Sequence, residues 1–474
     1  MKLTFKKGSI DVAPKDYARI ALTEEARTVR RIVREAGVDT LQIGVGKAAE
    51  MNARKFIILC RAIVQAAKAN ASKKIAIQFD RMPALFANLQ NRTPEEISQL
   101  AAENFEMANF EFNTFKTEPS EGWALVEEIL LYGESSPTIE AAAEKGQEIG
   151  RGVNACRALA NTPGGDMTPS VLAKAAQDAV TGLPVTVTVL GEQEMRKEGM
   201  NAILGIAKGS PEEPKFTIME YKGVDAKPIV LVGKGVTFDS GGLNLKPSAS
   251  IYQMHMDMSG AASVVHTVAL AARLKLKKHV IGLFPAVENL PGTNAIRPGD
   301  IVKSLSGKTI EVTDTDAEGR VILSDALTYA KRFKPAAVID IATLTGAAHV
   351  ALGDYASGLM TRDDALAQEL LEDGDASGDY VWRLPLWDEY EPKLKSEFAD
   401  IANVALGATS RMGGAIDGGM FLWQFAKELD CPWAHIDMAP RMTAAAGDEL
   451  AKGAAGAPVR LLLRFIEHAV FDKN

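Results

Sequence analysis

Carboxylates and basic side chains stand close together in three short segments of the sequence. These residues are Lys234, Asp239 and Lys246 in the first segment, Asp257 in the second, and Asp316, Glu318 and Arg320 in the third. Four gathered carboxylates repel one another and raise each other's pKa, whereas two divalent cations neutralise their four charges. Carboxylate oxygens suit Mg²⁺, Mn²⁺ or Zn²⁺ and can bridge two such ions. The segments therefore predict a carboxylate-rich site for two metal ions, with Lys246 and Arg320 left over to hold or stabilise an anion.

The acidic segments also have simpler interpretations that need no metal. Asp257 precedes an apolar helix and can be its N-cap, and for this residue taken alone that interpretation stays open. The acids around Asp316 can stand at a helix N-terminus, where the helix dipole favours negative charge. That accounts for one or two acids, but not for three within five residues beside Arg320. The chain has six histidines and no HExxH motif, so metal ligands must come mostly from carboxylates.

Predicted strands and helices alternate along the chain, as they do in α/β proteins. Runs rich in Val and Ile predict strands at 185–190, 216–221, 229–232, 280–284, 310–312 and 337–341. An apolar sequence predicts a buried helix at 260–276, and apolar residues at helical spacing predict another at 321–331. Ligands of such sheets bind beyond the carboxyl ends of the strands. We therefore expect a loop after 229–232 to present Lys234 and Asp239.

The predicted fold class is α/β, with a smaller N-terminal α/β domain and a larger C-terminal one whose mixed, mostly parallel sheet is flanked by helices. In the first domain, strands at 40–44 and 74–79 flank a helix at 47–69, and a capping box at Thr93 opens a helix towards residue 110. A long helix from 138 to 160, ended by a turn cluster, suits a connection between domains. We predict an N-terminal domain at 1–135, a linking helix at 136–165 and a second domain at 166–474.

The composition indicates a folded protein of the cytoplasm. There are 53 Lys and Arg against 61 Asp and Glu, a net charge of −8, which argues against a dedicated nucleic-acid binder. Hydrophobic residues at 47% and charged residues at 24% exclude disordered and fibrous classes. Cys60, Cys156 and Cys431 lie far apart and suit reduced thiols. No apolar run has the character of a signal peptide or a membrane span, so we expect no membrane partner.

The three charged segments resemble the leucyl (cytosol) aminopeptidase family. The resemblance rests on residues 232–246, on Asp257 and on Thr315-Asp-Ala-Glu-Gly-Arg320, which is similar to that family's NTDAEGR signature. It extends from about residue 161 to the end and includes 342–347, 413–416 and 433–437. Residues 1–135 match only in length and α/β character. One departure is Asp314, where the signature begins with Asn, while every ligand position is intact.

This resemblance implies a dinuclear metallo-exopeptidase, a hydrolase that removes N-terminal residues from peptides. It implies five metal ligands, with Asp239 and Glu318 bridging the two ions: Lys234, Asp239, Asp257, Asp316 and Glu318. Lys246 would stabilise the oxyanion that forms on the attacked carbonyl. Arg320 would anchor a bicarbonate that serves as general base for the metal-activated water.

The resemblance also implies a pocket for the first side chain of the substrate. Its lining would be Met254, Thr343, Leu344, Gly346, Ala439 and Met442. Two methionines and several small residues favour a medium-sized apolar side chain such as Leu or Met. Members of the family assemble as homohexamers, so the resemblance implies that assembly here.

Two other functions stay open. Some bacterial relatives also act as architectural DNA-binding hexamers, although the acidic balance and the lack of an obvious basic stripe weigh against that role for this chain. A dinuclear hydrolase of another amide would keep the metals and change the substrate. Cleavage of substrates with a blocked N-terminal amine would distinguish it from an aminopeptidase.

Overall fold

The structure is a computed structural model that describes residues 1–80, 82, 89, 92–405 and 412–470. The chain forms two compact units. The first comprises Met1–Asn154 together with Ala444–Lys452, and the second comprises Ala155–Thr443 together with the chain from Gly453 onward. Each unit has its own sheet with helices, so the predicted α/β class is confirmed.

A six-stranded sheet with the order β1-β6-β5-β2-β4-β3 forms the centre of the first unit. Its described strand pairs are parallel except for β3 with β4. The strands are β1 (Lys2–Lys6), β2 (Ala18–Thr23), β3 (Arg30–Glu35), β4 (Val38–Gly44), β5 (Lys74–Gln78) and β6 (Glu128–Tyr132). The helices are α1 (Ala53–Ala69), α2 (Pro94–Ala108) and α3 (Pro137–Asn161), and α3 continues into the second unit.

Side-chain caps decide where α1 and α2 begin. The start predicted at residue 47 is wrong, because Asn52 Oδ1 accepts from the backbone N–H of Lys55 at 2.9 Å and α1 begins at Ala53. The capping box at Thr93 is confirmed: its Oγ1 accepts from the N–H of Glu96 at 3.2 Å, and Glu96 Oε2 accepts from the N–H of Thr93 at 3.0 Å. The long helix predicted from 138 to 160 is confirmed as α3.

A segment from late in the sequence, Ala444–Lys452, completes the first unit. Arg61 of α1 is buried, and its Nε donates to Asn104 Oδ1 at 2.8 Å while its Nη1 donates to the carbonyl oxygen of Asp448 at 3.0 Å. The guanidinium therefore joins α1, α2 and this segment. No sequence pattern indicated that these nine residues leave the second unit.

The second unit is built on a nine-stranded sheet with the order β16-β15-β18-β14-β9-β11-β8-β7, in which β10 also pairs with β11. Most of the described pairs are parallel, as predicted. Its strands are β7 (Val185–Leu190), β8 (Lys215–Lys222), β9 (Ile229–Gly233), β10 (Gly235–Asp239), β11 (His279–Asn289), β14 (Ala337–Ala342), β15 (Ser357–Met360), β16 (Val381–Arg383) and β18 (Trp433–Asp437). A smaller sheet contains β12 (Asp300–Lys303), β13 (Thr309–Val312) and β17 (Ile401–Ala402).

Helices cover this sheet. They are α4 (Pro169–Ala179), α5 (Glu192–Glu198), α6 (Asn201–Ala207), α7 (Ser248–Ile251), α8 (Ser259–Arg273), α9 (Glu318–Ala330), α10 (Gly346–Leu352), α11 (Asp364–Ser377), α12 (Gly414–Ala426) and α13 (Val459–His468). Every residue of α8 except His266 and Arg273 is buried, and α8 packs against β9, β11 and β14, so the predicted buried helix is confirmed. Among the residues described, no helix has both the length and the apolar content that crossing a bilayer requires.

We predict that Asp325→Ala strongly destabilises the second unit. Asp325 is fully buried in α9, and its carboxylate accepts from the N–H groups of Ala202 (2.9 Å), Ile203 (3.1 Å) and Leu305 (2.7 Å). Each buried donor left without a partner costs about 1–3 kcal/mol, so we expect the free energy of unfolding to fall by roughly 3 kcal/mol or more. Urea unfolding measures this loss. Asp325→Asn keeps one acceptor oxygen and should lose less, and an alanine variant as stable as the wild type would contradict the argument.

Candidate metal centre

The ends of neighbouring strands and the start of a helix bring the charged segments together. Lys234 directly follows β9, and its backbone is held by bonds from its N–H to Ile341 O (2.9 Å) and from the N–H of Ala261 to its O (2.8 Å). Asp239 was predicted to lie in a loop, but it is the last residue of β10, because residues 235–239 pair in parallel with β11. Glu318 is the first residue of α9, which begins three residues before the predicted start.

Two lysine ammonium groups lie among four carboxylates in this centre. Lys234 Nζ is 2.6 Å from Asp257 Oδ2 and 2.8 Å from Glu318 Oε1. Lys246 Nζ is 2.8 Å from Asp239 Oδ2 and also contacts Asp316 Oδ1. Oxygens of Asp239, Asp316 and Glu318 all lie within 4.8 Å of one another. The structure thus brings together six of the seven charged residues that the sequence singled out.

Burial and mutual repulsion shift the pKa values of the carboxylates in this centre. Burial, together with the charge of Glu318, raises the pKa of Asp239. Burial also raises the pKa of Asp257, and it raises the pKa of Asp316 to about 6. The pKa of Glu318 is lowered despite its burial, because Lys234 and Lys246 stabilise its charge. Burial opposes the charge of Lys234 as well, but the surrounding carboxylates outweigh it and raise the pKa of that lysine. With all four carboxylates ionised, their four negative charges exceed the two positive charges of the lysines.

The donor set fits divalent metal ions. Asp257, Asp316 and Glu318 contact the ammonium groups of Lys234 and Lys246, yet two lysines balance only two of the four carboxylate charges. Gathering uncompensated carboxylates in a buried site is costly unless a further cation compensates them. Four hard carboxylate groups and one lysine nitrogen within this small volume match the ligands that Mn²⁺, Zn²⁺ and Mg²⁺ accept.

A glycine in the third segment makes room for Lys234. A Cβ built on Gly319 would lie 2.4 Å from Lys234 Cε and 2.8 Å from its Nζ. Real Cβ atoms do not approach other atoms so closely, so a side chain at residue 319 would displace the lysine from Asp257 and Glu318. This contact explains why a glycine stands between Glu318 and Arg320.

Neutral side chains that sequence reasoning missed hold the first and third segments together. Asn289 Nδ2, at the end of β11, donates to Asp239 Oδ1 at 2.8 Å and to Thr315 O at 2.9 Å. Thr315 Oγ1 donates to Gly241 O at 2.7 Å, and Asn244 Oδ1 accepts from the N–H of Thr315 at 3.0 Å. The position of Asn289 at the carboxyl end of a predicted strand was a signal that could have identified it.

Arg320 stands apart from the lysine–carboxylate cluster and is held by Asn403, another residue that the sequence did not reveal. Its Nη1 donates to Asn403 O at 2.9 Å, whereas its buried Nε has no hydrogen-bond partner among the described residues. Burial lowers the pKa of Arg320. The Asn403 side chain accepts from the N–H of Thr313 at 2.9 Å and donates to Asp314 O at 2.6 Å. One buried asparagine therefore fixes both Arg320 and the loop that carries Asp316.

We predict that Asp314→Asn preserves turnover and shifts its metal or pH dependence. Asp314 Oδ1 accepts from the N–H of Asp316 at 2.9 Å, and an asparagine can make the same bond while removing one negative charge beside the site. We expect kcat within about threefold of the wild type, a change of less than 1 kcal/mol in the barrier. Activity measured across pH and metal concentration tests this, and complete loss of turnover would contradict it.

The residues of the implied pocket lie on four segments of the second unit. Thr343 is buried after β14, and its Oγ1 donates to Asp257 Oδ1 at 2.6 Å, while Leu344 follows it. Gly346 begins α10, which packs against the short turn that starts at Ala439. Met442 ends that turn, and Met254 lies half-buried in the turn that leads to Asp257.

Comparison with known proteins identifies the family of both parts of the chain. The model of the cytosol aminopeptidase family's catalytic domain matches residues 154–463, and the model of that family's N-terminal domain matches residues 35–119. Over 432 residues the chain is 45% identical to a probable cytosol aminopeptidase of Azoarcus sp. (strain BH72), covering 90% of this chain and 84% of that one. A probable cytosol aminopeptidase of Roseiflexus castenholzii is 44% identical over 395 residues, covering 82% and 80%.

Solved structures show the same fold. Tomato leucine aminopeptidase, solved as a lysine-to-glutamate mutant, has a TM-score of 0.88 at 28% identity and covers 99% of this chain and 97% of its own. The bottromycin maturation enzyme BotP in complex with Mn has a TM-score of 0.83 at 30% identity, with coverage of 96% and 99%. Since both domain models match and these relatives are similar over most of their length, the chain belongs to the cytosol aminopeptidase family and is a peptidase hydrolase.

Proposed function

We propose that the chain is a two-metal aminopeptidase that releases N-terminal residues with apolar side chains such as Leu or Met. The observation that carries this proposal is the cluster of four carboxylates around two lysines, in which oxygens of Asp239, Asp316 and Glu318 lie within 4.8 Å of one another. Ion pairs with two lysines balance only two of the four negative charges, whereas two divalent ions would balance all four. The name of the BotP structure, which is described in complex with Mn, supports manganese as one of the ions to test.

The ligand assignment follows the contacts in the centre. Asp239, Asp316 and Glu318 would hold the ions, because their oxygens lie within 4.8 Å of one another. Lys234 and Asp257 would be the further ligands, since Lys234 Nζ contacts both Asp257 and Glu318. When bound, the two ions would supply Lewis acidity and a water acidified to react near neutral pH. Lys234 would ligate as the neutral amine.

The remaining cations would act on the substrate. Lys246 keeps its proton beside Asp239 and Asp316 and would donate a hydrogen bond to the carbonyl oxygen as its negative charge grows. Arg320 would hold a bicarbonate through its guanidinium, whose Nε has no protein partner. When bound there, that anion would supply general acid–base chemistry beside Arg320. Asn403 positions Arg320 for this role.

The substrate pocket and the cellular setting are further parts of the proposal. Met254, Thr343, Leu344, Gly346, Ala439 and Met442 would line the pocket for the first side chain. We propose a cytoplasmic homohexamer, supported by the name that the relatives share and by the family resemblance. The N-terminal domain (1–135) and linking helix (136–165) would serve assembly and access to the catalytic domain (166–474). A mass six times the 50.8 kDa of one chain, measured by light scattering, would support the hexamer.

Metal reconstitution with matched substrates tests the activity. Metal-depleted protein receives Mn²⁺, Zn²⁺ or Mg²⁺ separately and is assayed on leucine amide and on N-acetyl-leucine amide. We expect activity only with metal and only on the free amine. Cleavage of the acetylated substrate would favour a hydrolase of another amide, and full activity without metal would refute the two-metal mechanism. A salt-dependent gel shift with duplex DNA tests the second role, for which the net charge of −8 predicts no specific complex.

A further inference from the structure

The carboxylate of Asp437 binds donors from two different loops. Asp437 is fully buried at the end of β18. Its Oδ1 accepts from the N–H groups of Leu344 (3.2 Å), Thr345 (3.4 Å) and Ala439 (3.2 Å). Its Oδ2 accepts from Thr345 Oγ1 at 2.6 Å. One side chain thus satisfies donors that are almost a hundred residues apart in sequence.

The two loops follow adjacent parallel strands. β14 and β18 are paired so that Ala342 lies opposite Asp437, and the N–H of Met438 donates to Ala342 O at 2.8 Å. Beyond that point the backbones separate into the loop 343–345 and the turn 438–442. The carboxylate of Asp437 ties these segments together where the strand pairing ends.

Hydrogen bonds of Thr345 connect Asp437 to α10, the helix that follows the loop 343–345. Thr345 Oγ1, which donates to Asp437, also accepts from the N–H of Ala348 at 3.0 Å and caps α10. The loop further adjoins Arg320, because a Cβ built on Gly418 would lie 3.1 Å from Thr345 Cγ2 and 3.4 Å from Arg320 Nη2. A shift of this loop would therefore move α10 and the surroundings of Arg320 together.

Burying this carboxylate is costly, and backbone and hydroxyl donors provide the compensation. Across the described parts of the chain, no lysine, arginine or histidine nitrogen forms an ion pair with Asp437. A buried charge held only by hydrogen bonds keeps its donors in one geometry, because leaving any of them unmet carries a desolvation penalty. An uncharged residue would fill this space without restraining both loops.

We propose that Asp437 is a positioning residue that sets the selectivity for the first side chain of the substrate. It does so by fixing the loop 343–345 and the turn 438–442 relative to each other, and these segments carry Thr343, Leu344, Ala439 and Met442 of the proposed pocket. The inference rests on the proposed function. Asp437 acts through the pocket walls and makes no direct bond to the carboxylate–lysine centre; because Thr343 of the same loop contacts Asp257 and Lys234, metal content is measured on every variant.

The test compares leucyl with alanyl substrates on the metal-loaded full chain. Asp437→Asn preserves size and the Oδ1 acceptor but places an NH₂ group against Thr345 Oγ1. We expect the ratio of kcat/KM for leucyl over alanyl substrate to fall about tenfold, within the range that a pocket contributes for small apolar differences. The KM for the leucyl substrate should rise while kcat stays within about threefold, which indicates loss of binding rather than of transition-state chemistry.

Three further variants separate positioning from stability. Thr345→Val removes the bond to Oδ2 and the cap of α10 but keeps the Oδ1 bonds to Leu344 and Ala439, so it should lower the ratio less than Asp437→Asn, whereas Thr345→Ser keeps the hydroxyl and should match the wild type. Asp340→Asn is the matched control: Asp340 is equally buried in β14 and bonds to Trp433 Nε1 (2.7 Å) and His435 Nδ1 (2.5 Å), away from both loops. It should lower the melting temperature and leave the ratio unchanged.

Hydrogen exchange provides a measurement that does not depend on catalysis. The amides of Leu344, Thr345 and Ala439 should exchange faster in Asp437→Asn than in the wild type and in Asp340→Asn. Unchanged exchange, an unchanged ratio, or the same shift in Asp340→Asn would overturn the proposal. A wild-type chain that cleaves no free-amine substrate with any metal would defeat the proposed function, while exchange would still decide whether Asp437 fixes the loops.

Discussion

Glu318→Gln weakens metal binding by about a thousandfold and abolishes measurable peptidase turnover at ordinary metal concentrations. Glu318 is 1% exposed, and its Oε1 lies 2.8 Å from Lys234 Nζ. Removing one charge from a buried ionic cluster costs about 3–5 kcal/mol, because the opposite charges stay buried. If that cost falls on the bound ions, about 4 kcal/mol corresponds to roughly a thousandfold in affinity.

Calorimetric titration of metal-depleted protein with Mn²⁺, together with metal content by mass spectrometry, measures this effect. Glu288→Gln is the matched control: Glu288 is also buried, in β11, but its carboxylate accepts from Ser210 Oγ at 2.5 Å and does not face the cluster. The control should bind metal like the wild type. Two tightly bound ions in Glu318→Gln would show that Glu318 is not a bridging ligand.

Lys246→Ala lowers kcat by roughly 10²–10³-fold, as the loss of one preorganised donor to an oxyanion does in other hydrolases. The side chain of Lys246 is 14% exposed, whereas that of Lys234 is 3% exposed, so Lys246 is the ammonium group that a substrate carbonyl can reach. Burial opposes its charge, but Asp239, Glu318 and Asp316 outweigh burial and raise its pKa, so it keeps its proton.

Steady-state kinetics at saturating leucine amide measure this prediction, with metal content determined on the same samples. Two ions per chain should remain, because Lys246 is not a proposed ligand. Lys246→Arg retains the charge at a different position and should recover part of kcat. A variant that changes only KM, or that loses its ions, would assign Lys246 to substrate binding or to the metal site instead of to the oxyanion.

The charged part of the centre could be predicted because each residue is chemically distinctive. The rule on strand carboxyl ends placed Lys234 correctly after β9, whereas Asp239 ends β10 instead of lying in a loop and Glu318 opens α9 instead of preceding it. The neutral supports could not be found in this way. Asn403 lies some ninety residues from the loop it fixes, beside a strand of two residues, and its role depends on hydrogen-bond directions that only the folded chain defines.

The predicted elements were mostly correct, and their errors have local causes. The bounds predicted for β7 and α3 agree closely with those in the structure. Helix α1 begins at Ala53 and not at the predicted residue 47, because Asn52 caps it. The sequence of residues 47 to 52 did not reveal this cap. β10 was missed because its five residues contain Gly235 and Asp239, which are poor strand formers, and pairing with β11 overrides that preference.

The nine residues Ala444–Lys452 impose an order on how the protein is made. A ribosome finishes α1 and α2 early, but the carbonyl of Asp448 that Arg61 binds emerges only after most of the chain has been translated. Until then the Arg61 guanidinium lacks one of its acceptors. A fragment ending before residue 444 would leave the first unit permanently incomplete, so the first unit cannot be produced whole by a single cut in the gene.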